Sequence, residues 1–165
     1  MVYFKKEKYM KKVYTDGKRN ESKLTYEQRK ECLEYIELLG FEHDISFSEY
    51  SNTAFVSSKD GDQYCRLVIG TDVYPNNVAS NPNEQITFRG AIAHEIVGHY
   101  EAWIGGFECS NYYIDEAQAS IRAARFAKGL SKEERIVLIK DGLCRLKNGN
   151  IKLIDARKFM KIEVR

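Results

Sequence analysis

Residues that break or staple a fold are scarce in this chain. Two prolines in 165 residues, beside 43% hydrophobic and 12% aromatic side chains, exclude extensive disorder and leave an ordinary globular composition. The four cysteines, Cys32, Cys65, Cys109 and Cys144, form no C-x-x-C pair and no dense disulfide framework. They are expected to be reduced packing residues. No run approaches the roughly 18 apolar residues of a membrane span, and the opening "MVYFKKEKYMKKVY" lacks the apolar core of an export signal. A cytoplasmic location, or delivery as an effector by a non-classical route, is expected. A net charge of only +2 gives no reason to expect a specific nucleic-acid partner.

That charge is unevenly spread. Residues 1–20 carry seven Lys or Arg against two acids, residues 152–165 carry five against two, and the 131 residues between them are net acidic, with 14 basic and 20 acidic side chains. Solvated or mobile ends are the expectation, with a weak anionic partner as the sharper alternative. The length predicts one domain over 1–165, with 1–20 as a basic N-terminal segment. Such a domain can bury a core without a disulfide or metal staple, so any metal is expected to be functional rather than structural.

Local patterns give the order of elements. "LTYEQRKECLEYIELLG" opens on a Thr25–Gln28 capping box, repeats apolar residues at Leu33, Ile36 and Leu39, and stops at Gly40, which predicts a helix. "ISFSEY", "NTAFVSS" and "QYCRLVIGTDVY" read as strands of a short mixed or antiparallel sheet, with Asp60-Gly61 as a hairpin turn. "PNNVASNPNEQ" reads as a loop leading into a helix over 86–103 that ends at Gly105-Gly106. "IDEAQASIRAARFAKGL" predicts another helix through Ala127, and "SKEERIVLIKDGLCRLKNG" a third from a Ser131 cap to Gly149. The tail "IKLIDARKFMKIEVR" is expected to be partly extended. This order points to an α+β fold, a short sheet packed on the 86–103 helix with helices C-terminal to it.

The chemistry lies in "HEIVGH", residues 94–99. The zinc motif H-E-x-x-H puts two histidines four apart on one helix face, with a glutamate beside them as general base. Here His94 and His99 are five apart. At about 100° per residue the usual spacing leaves the rings roughly 40° apart, and this one roughly 140°. A one-turn π-bulge absorbs the extra residue, and such bulges occur mostly at functional sites. Gly98, with no side chain to crowd the turn, makes the distortion cheaper. The alternative, a charged surface turn, fits poorly with the apolar neighbours in "AIAHEIVGH", where unpaired polar groups are costly.

"HEIVGH" resembles the H-E-x-x-G-H motif of the dipeptidyl peptidase III family of zinc peptidases, which are gluzincins. In that family the two histidines bind zinc, the glutamate is the catalytic base, and the third ligand is the second Glu of a downstream E-E-x-x-A-E segment. The resemblance extends to "DEAQAS", where Asp115 takes the first acid position, Glu116 the ligand position and Ala119 the alanine, while Ser120 replaces the final Glu. It covers about residues 90–125. Because family members are much larger and two-lobed, with a longer spacer between the motifs, the resemblance implies the metal site and not the dipeptidase specificity. "AHEIVGHYEA" followed by "DEAQASIRAARFAKGLS" also resembles compact zincin-like domains at the C-termini of bacterial polymorphic toxins. An immunity or inhibitor protein would then be a partner.

The residues make their own case for Glu116. A catalytic zinc needs three protein ligands and an open position, and the chain has three histidines; unless His43 is the third ligand, an acid is required. Glu101 is about 200° around the helix from His99, and Glu108 sits in a loop. Glu116 opens a helix whose next turns present Ala117, Ala119, Ser120, Ala123 and Ala124, small enough for close packing on the motif helix. Asp115 reads as a helix cap or as a partner holding a zinc-bound histidine. Tyr112, Tyr113, Tyr100 and Arg122 are candidates for an oxyanion or substrate contact. Arg122 and Arg125, three apart, read first as a solvated face or ion-pair partners. His43 is expected to be a half-exposed strand residue, with a supporting or substrate role as the alternative. "RLVIGTDVY" precedes the motif helix as the substrate-binding edge strand does in many zincins.

The expected function is hydrolysis of a peptide or protein substrate by Zn2+-activated water, with His94, His99 and Glu116 as ligands and Glu95 as general base. The alternatives are a zincin-shaped module that only binds a protein, and a metal hydrolase of a non-peptide substrate.

Overall fold

A computed structural model describes residues 18–58 and 64–165. The basic segment up to residue 17 and the Asp60-Gly61 turn lie outside the described residues. Helix α1, Tyr26–Leu39, begins at the anticipated capping box, in which Gln28 N donates to Thr25 Oγ1 at 3.1 Å and Thr25 N to Gln28 Oε1 at 2.9 Å. It ends at Gly40, whose φ of +75° suits a residue without a Cβ. Its buried residues are Cys32, Tyr35 and Ile36; of the Leu33–Ile36–Leu39 repeat, Ile36 is buried and Leu39 packs partly buried against the core, while Leu33 is 43% exposed. An i, i+3, i+4 set that includes a cysteine and a tyrosine proves the better-packed stripe.

Strands β1 (Asp44–Ser48), β2 (Ala54–Ser57) and β3 (Cys65–Gly70) form one mixed sheet in the order β1-β3-β2. β1 runs parallel to β3 and β2 antiparallel to it. This corrects the reading of "RLVIGTDVY" as an edge strand. β3 is central, flanked on both sides, and buries Cys65, Leu67, Val68 and Ile69. A continuous apolar run marks a strand enclosed by others; the edge that faces the later helices is β2.

A second correction concerns the expected loop before the motif helix. Helix α2, Pro82–Gln85, forms inside it. Asn81 caps Glu84 N at 3.0 Å, Pro82 occupies the first turn, and the Glu84 carboxylate accepts from Ser80 N and Asn81 Nδ2. The motif helix then runs as α3 (Phe88–Ala93), a π-helical segment (His94–Tyr100) and α4 (Glu101–Gly105), closed by Gly106 at φ +67°. Thr87 is its N-cap.

α5 (Tyr112–Phe126) starts from an Asn111 cap, two residues before the expected Ile114. α6 (Lys132–Asn148) starts from a Ser131–Glu134 capping box. The tail is not extended. After a short α7 (Leu153–Ala156) it lies irregularly against α5, where Gln118 Oε1 accepts from Lys161 N at 2.7 Å. One apolar cluster joins α1, β3 and the motif helix through Ile36, Leu67, Ile69, Ile92 and Val97; a smaller one joins α5, α6 and the tail through Ile121, Leu146 and Met160. The result is an α+β arrangement with a small mixed sheet, the motif helix against it and helices C-terminal, as expected. Among the described residues no helix is long and apolar enough to cross a membrane.

Candidate metal centre

The anticipated π distortion is present and covers all of "HEIVGH" plus Tyr100. It turns both imidazoles to one side, with His94 Nε2 and His99 Nε2 3.2 Å apart. Gly98 contributes differently from the expectation. A Cβ there would lie 2.6 Å from Ala119 Cα, so the glycine lets α5 approach the π segment. That approach brings Glu116 onto the histidines, with Oε2 3.4 Å from His94 Nε2 and Oε1 3.3 Å from His99 Nε2.

His94, His99 and Glu116 are the group among the described residues whose ligand atoms could hold a metal ion, all lying within 4.8 Å of one another. The donors fit zinc. Two nitrogens each about 2.0–2.1 Å from a tetrahedral ion lie about 3.3–3.4 Å apart, and two His with one Glu make a catalytic rather than a structural ligand set.

The electrostatics favour positive charge at the same point. Burial opposes charging His99, yet hydrogen bonds to Asp115 and Glu116 outweigh it and raise its pKa to about 10. Burial likewise opposes ionising Glu116, but His94, His99 and Arg145 hold its carboxyl far below the usual range. Asp115 Oδ2 lies 3.4 Å from His99 Nδ1 while its Oδ1 accepts from Cys109 N at 2.7 Å. It therefore ties the loop before α5 to the outer nitrogen of His99.

Glu95 lines the same cleft as the two histidines and is also tied to the sheet. Its Oε2 accepts from Phe55 N at 2.8 Å. Phe55 lies on edge strand β2, so its N–H turns away from β3 and toward the motif helix. A cleft of about 960 Å³ opens between β2 and α6, lined by Thr53, Phe55, His94, Glu95, His99, Glu116, Tyr112 and Arg145 among others. Asp72 holds the start of β2 in place by accepting from Thr53 N at 2.8 Å and Thr53 Oγ1 at 2.9 Å.

The other candidate contacts are now separated. Tyr112 lines the cleft and is 67% exposed. Tyr113 packs on Gly149, where a Cβ would meet its ring at 2.6 Å, and does not line the cleft. Tyr100 sits among Phe41, Phe55 and Trp103 with its hydroxyl 2.9 Å from His43 Nε2. His43 is exposed in the bend before β1 and is not a ligand.

Arg122 is neither an oxyanion contact nor part of a solvated face. It is 1% exposed and donates to Val97 O at 3.3 Å, Lys161 O at 2.7 Å, Val164 O at 3.1 Å and Glu101 Oε2 at 3.0 Å. A buried guanidinium with that many acceptors has a structural task. Arg125 is the partly exposed one, paired with Glu163 at 3.0 Å.

Sequence reasoning missed three residues next to the triad. Ser120 Oγ lies 2.9 Å from His94 Nδ1, Asp141 accepts from Ser120, and Arg145 donates to Glu116. The one available signal was the i, i+4 spacing of Asp141 and Arg145 on α6. Compared with protein-family models, curated proteins and solved structures, the chain matches none.

Proposed function

We propose that this chain is a zinc-dependent peptide hydrolase, with His94, His99 and Glu116 as ligands and Glu95 as general base. The observation that supports the reading best is the convergence of two histidines five residues apart, with a glutamate from another helix, on one point beside a cleft. A zinc ion held by these three residues would supply Lewis acidity and a water of pKa lowered toward about 7. Glu95 takes a proton from the attacking water and returns it to the leaving amine. Phe55 N–H holds one oxygen of Glu95, leaving the other to do this. β2, with an outward backbone edge on the cleft, is the strand to which an extended peptide adds, in place of β3. Tyr112 is the remaining exposed tyrosine at the cleft for an oxyanion or substrate contact. The resemblance to toxin domains extends the reading to an effector acting on a host or competitor protein.

Elemental analysis tests the metal first. The parent should carry about one zinc per chain and the His94→Ala, His99→Ala double variant none. Glu95→Gln should keep the metal while peptide turnover falls about 10²–10⁴-fold. Unchanged turnover in Glu95→Gln would remove Glu95 as the base.

A further inference from the structure

Asp141 is 1% exposed on α6, a helix that supplies none of the three metal-ligating side chains. A buried carboxylate is costly unless it is fully hydrogen-bonded. Among the described residues, both of its hydrogen-bond partners lead to the triad. Ser120 Oγ lies 2.5 Å from Asp141 Oδ2 and 2.9 Å from His94 Nδ1. Arg145 Nε donates to the same Asp141 oxygen at 2.7 Å, and Arg145 Nη1 donates to Glu116 Oε2. A ring of contacts therefore runs from His94 through Ser120, Asp141 and Arg145 to Glu116, and closes across the point where the ligand atoms meet.

Proton inventory fixes the direction of each bond. Ser120 has one hydroxyl hydrogen, and an ionised carboxylate only accepts, so that hydrogen belongs to Asp141. Ser120 Oγ then accepts from His94 Nδ1–H, which leaves Nε2 as the ring nitrogen that faces His99 and Glu116. α5 and α6 can bring these groups together because Gly142 lies against Ala117 and Ile121, where a Cβ would meet Ile121 Cγ1 at 2.9 Å and Ala117 O at 3.2 Å.

We propose that Asp141 is the positioning residue of the metal centre, fixing the tautomer and orientation of His94 through Ser120 and the carboxylate of Glu116 through Arg145. The inference rests on the zinc reading of the triad. It assigns to Ser120, which stands where the related motif has a glutamate, the task of passing a carboxylate's hold on to the histidine from one helix further away.

Zinc affinity, measured by competition with a chromophoric chelator, tests it on the parent, Asp141→Asn and Ser120→Ala, with cobalt(II) absorption as a second readout of ligand geometry. Each variant should bind zinc about 10–100-fold more weakly than the parent, with an altered cobalt spectrum. The double variant should lose less than the product of the two single losses, because both act on one path. Should Asp141→Asn fail to fold, Ser120→Ala, which removes a single hydroxyl, carries the test. A parent that binds no zinc would sink the metal reading itself. A parent that binds zinc beside variants that keep its affinity and cobalt spectrum, whatever their melting temperatures, would leave the metal reading standing and overturn the role of Asp141.

Discussion

Gly98 and Glu116 are two halves of one contact. Glu116 on α5 reaches the histidines only because the π segment presents no side chain to Ala119, whose Cα and Cβ would both lie 2.6 Å from a Cβ at position 98. Backbone atoms cannot swing aside as a side-chain tip can, so Gly98→Ala must push the helices apart. Overpacking of this kind costs about 1–3 kcal/mol, and denaturant unfolding should show a loss in that range. Zinc titration of the same variant should show a weaker site, since Glu116 moves away with α5. A variant that loses stability but keeps parental zinc affinity would show that the triad tolerates the displacement.

Helix starts carry much of what the sequence shows about its elements. Thr25–Gln28 and Ser131–Glu134 form the reciprocal capping bonds that their spacing implies. Asn81-Pro82-Asn83-Glu84 has the same signature, but its setting in an Asn-rich stretch reads as a loop. Glu84 is 4% exposed, and hydrogen bonds from Ser80 and Asn81, helped by Lys18, outweigh its burial and lower its pKa from 4.5 to about 2. A carboxylate with a depressed pKa stabilises the fold fully above its unfolded value, and that contribution fades as pH falls toward the folded one. Glu84→Gln should therefore melt below the parent at neutral pH, and the gap should shrink as pH falls from about 4.5 to about 2. A gap that stays constant through that window would mean that the charge of Glu84 contributes nothing to the fold.

Across the whole molecule, contacts between distant segments decide what was hidden. The π distortion was readable because His94, Gly98 and His99 lie within six residues, and Glu116 was readable because a run of small residues follows it. The hub at Asp141 was not, since nothing in α6 alone says which helix its buried acid meets. Strand order was equally invisible, because an apolar run reports that β3 is covered but not by which neighbours. Arg122 shows the same limit: Arg-x-x-Arg reads as a solvated face or as ion-pair partners, and the pair with Glu101 does form, but the spacing does not say that the first guanidinium is buried among the motif helix, α5 and the tail. Arg122→Leu leaves the carbonyls of Val97, Lys161 and Val164 without this donor, and should cost about 3 kcal/mol in thermal or denaturant unfolding. Hydrogen exchange should quicken in the π segment as well as in the tail. Faster exchange confined to the tail would mean that Arg122 does not brace the π segment.

The contacts of Arg122 set an order of events in time. Arg122 and the Val164 carbonyl it holds are 42 positions apart, and a ribosome adding roughly 5–20 residues per second takes roughly 2–8 s to cover that distance. Throughout that interval His94, Glu95, His99 and Glu116 have all been made, while Arg122 still lacks the Val164 carbonyl. The cluster of His94, His99 and Glu116 is thus braced last, by backbone synthesised well after all three of its members.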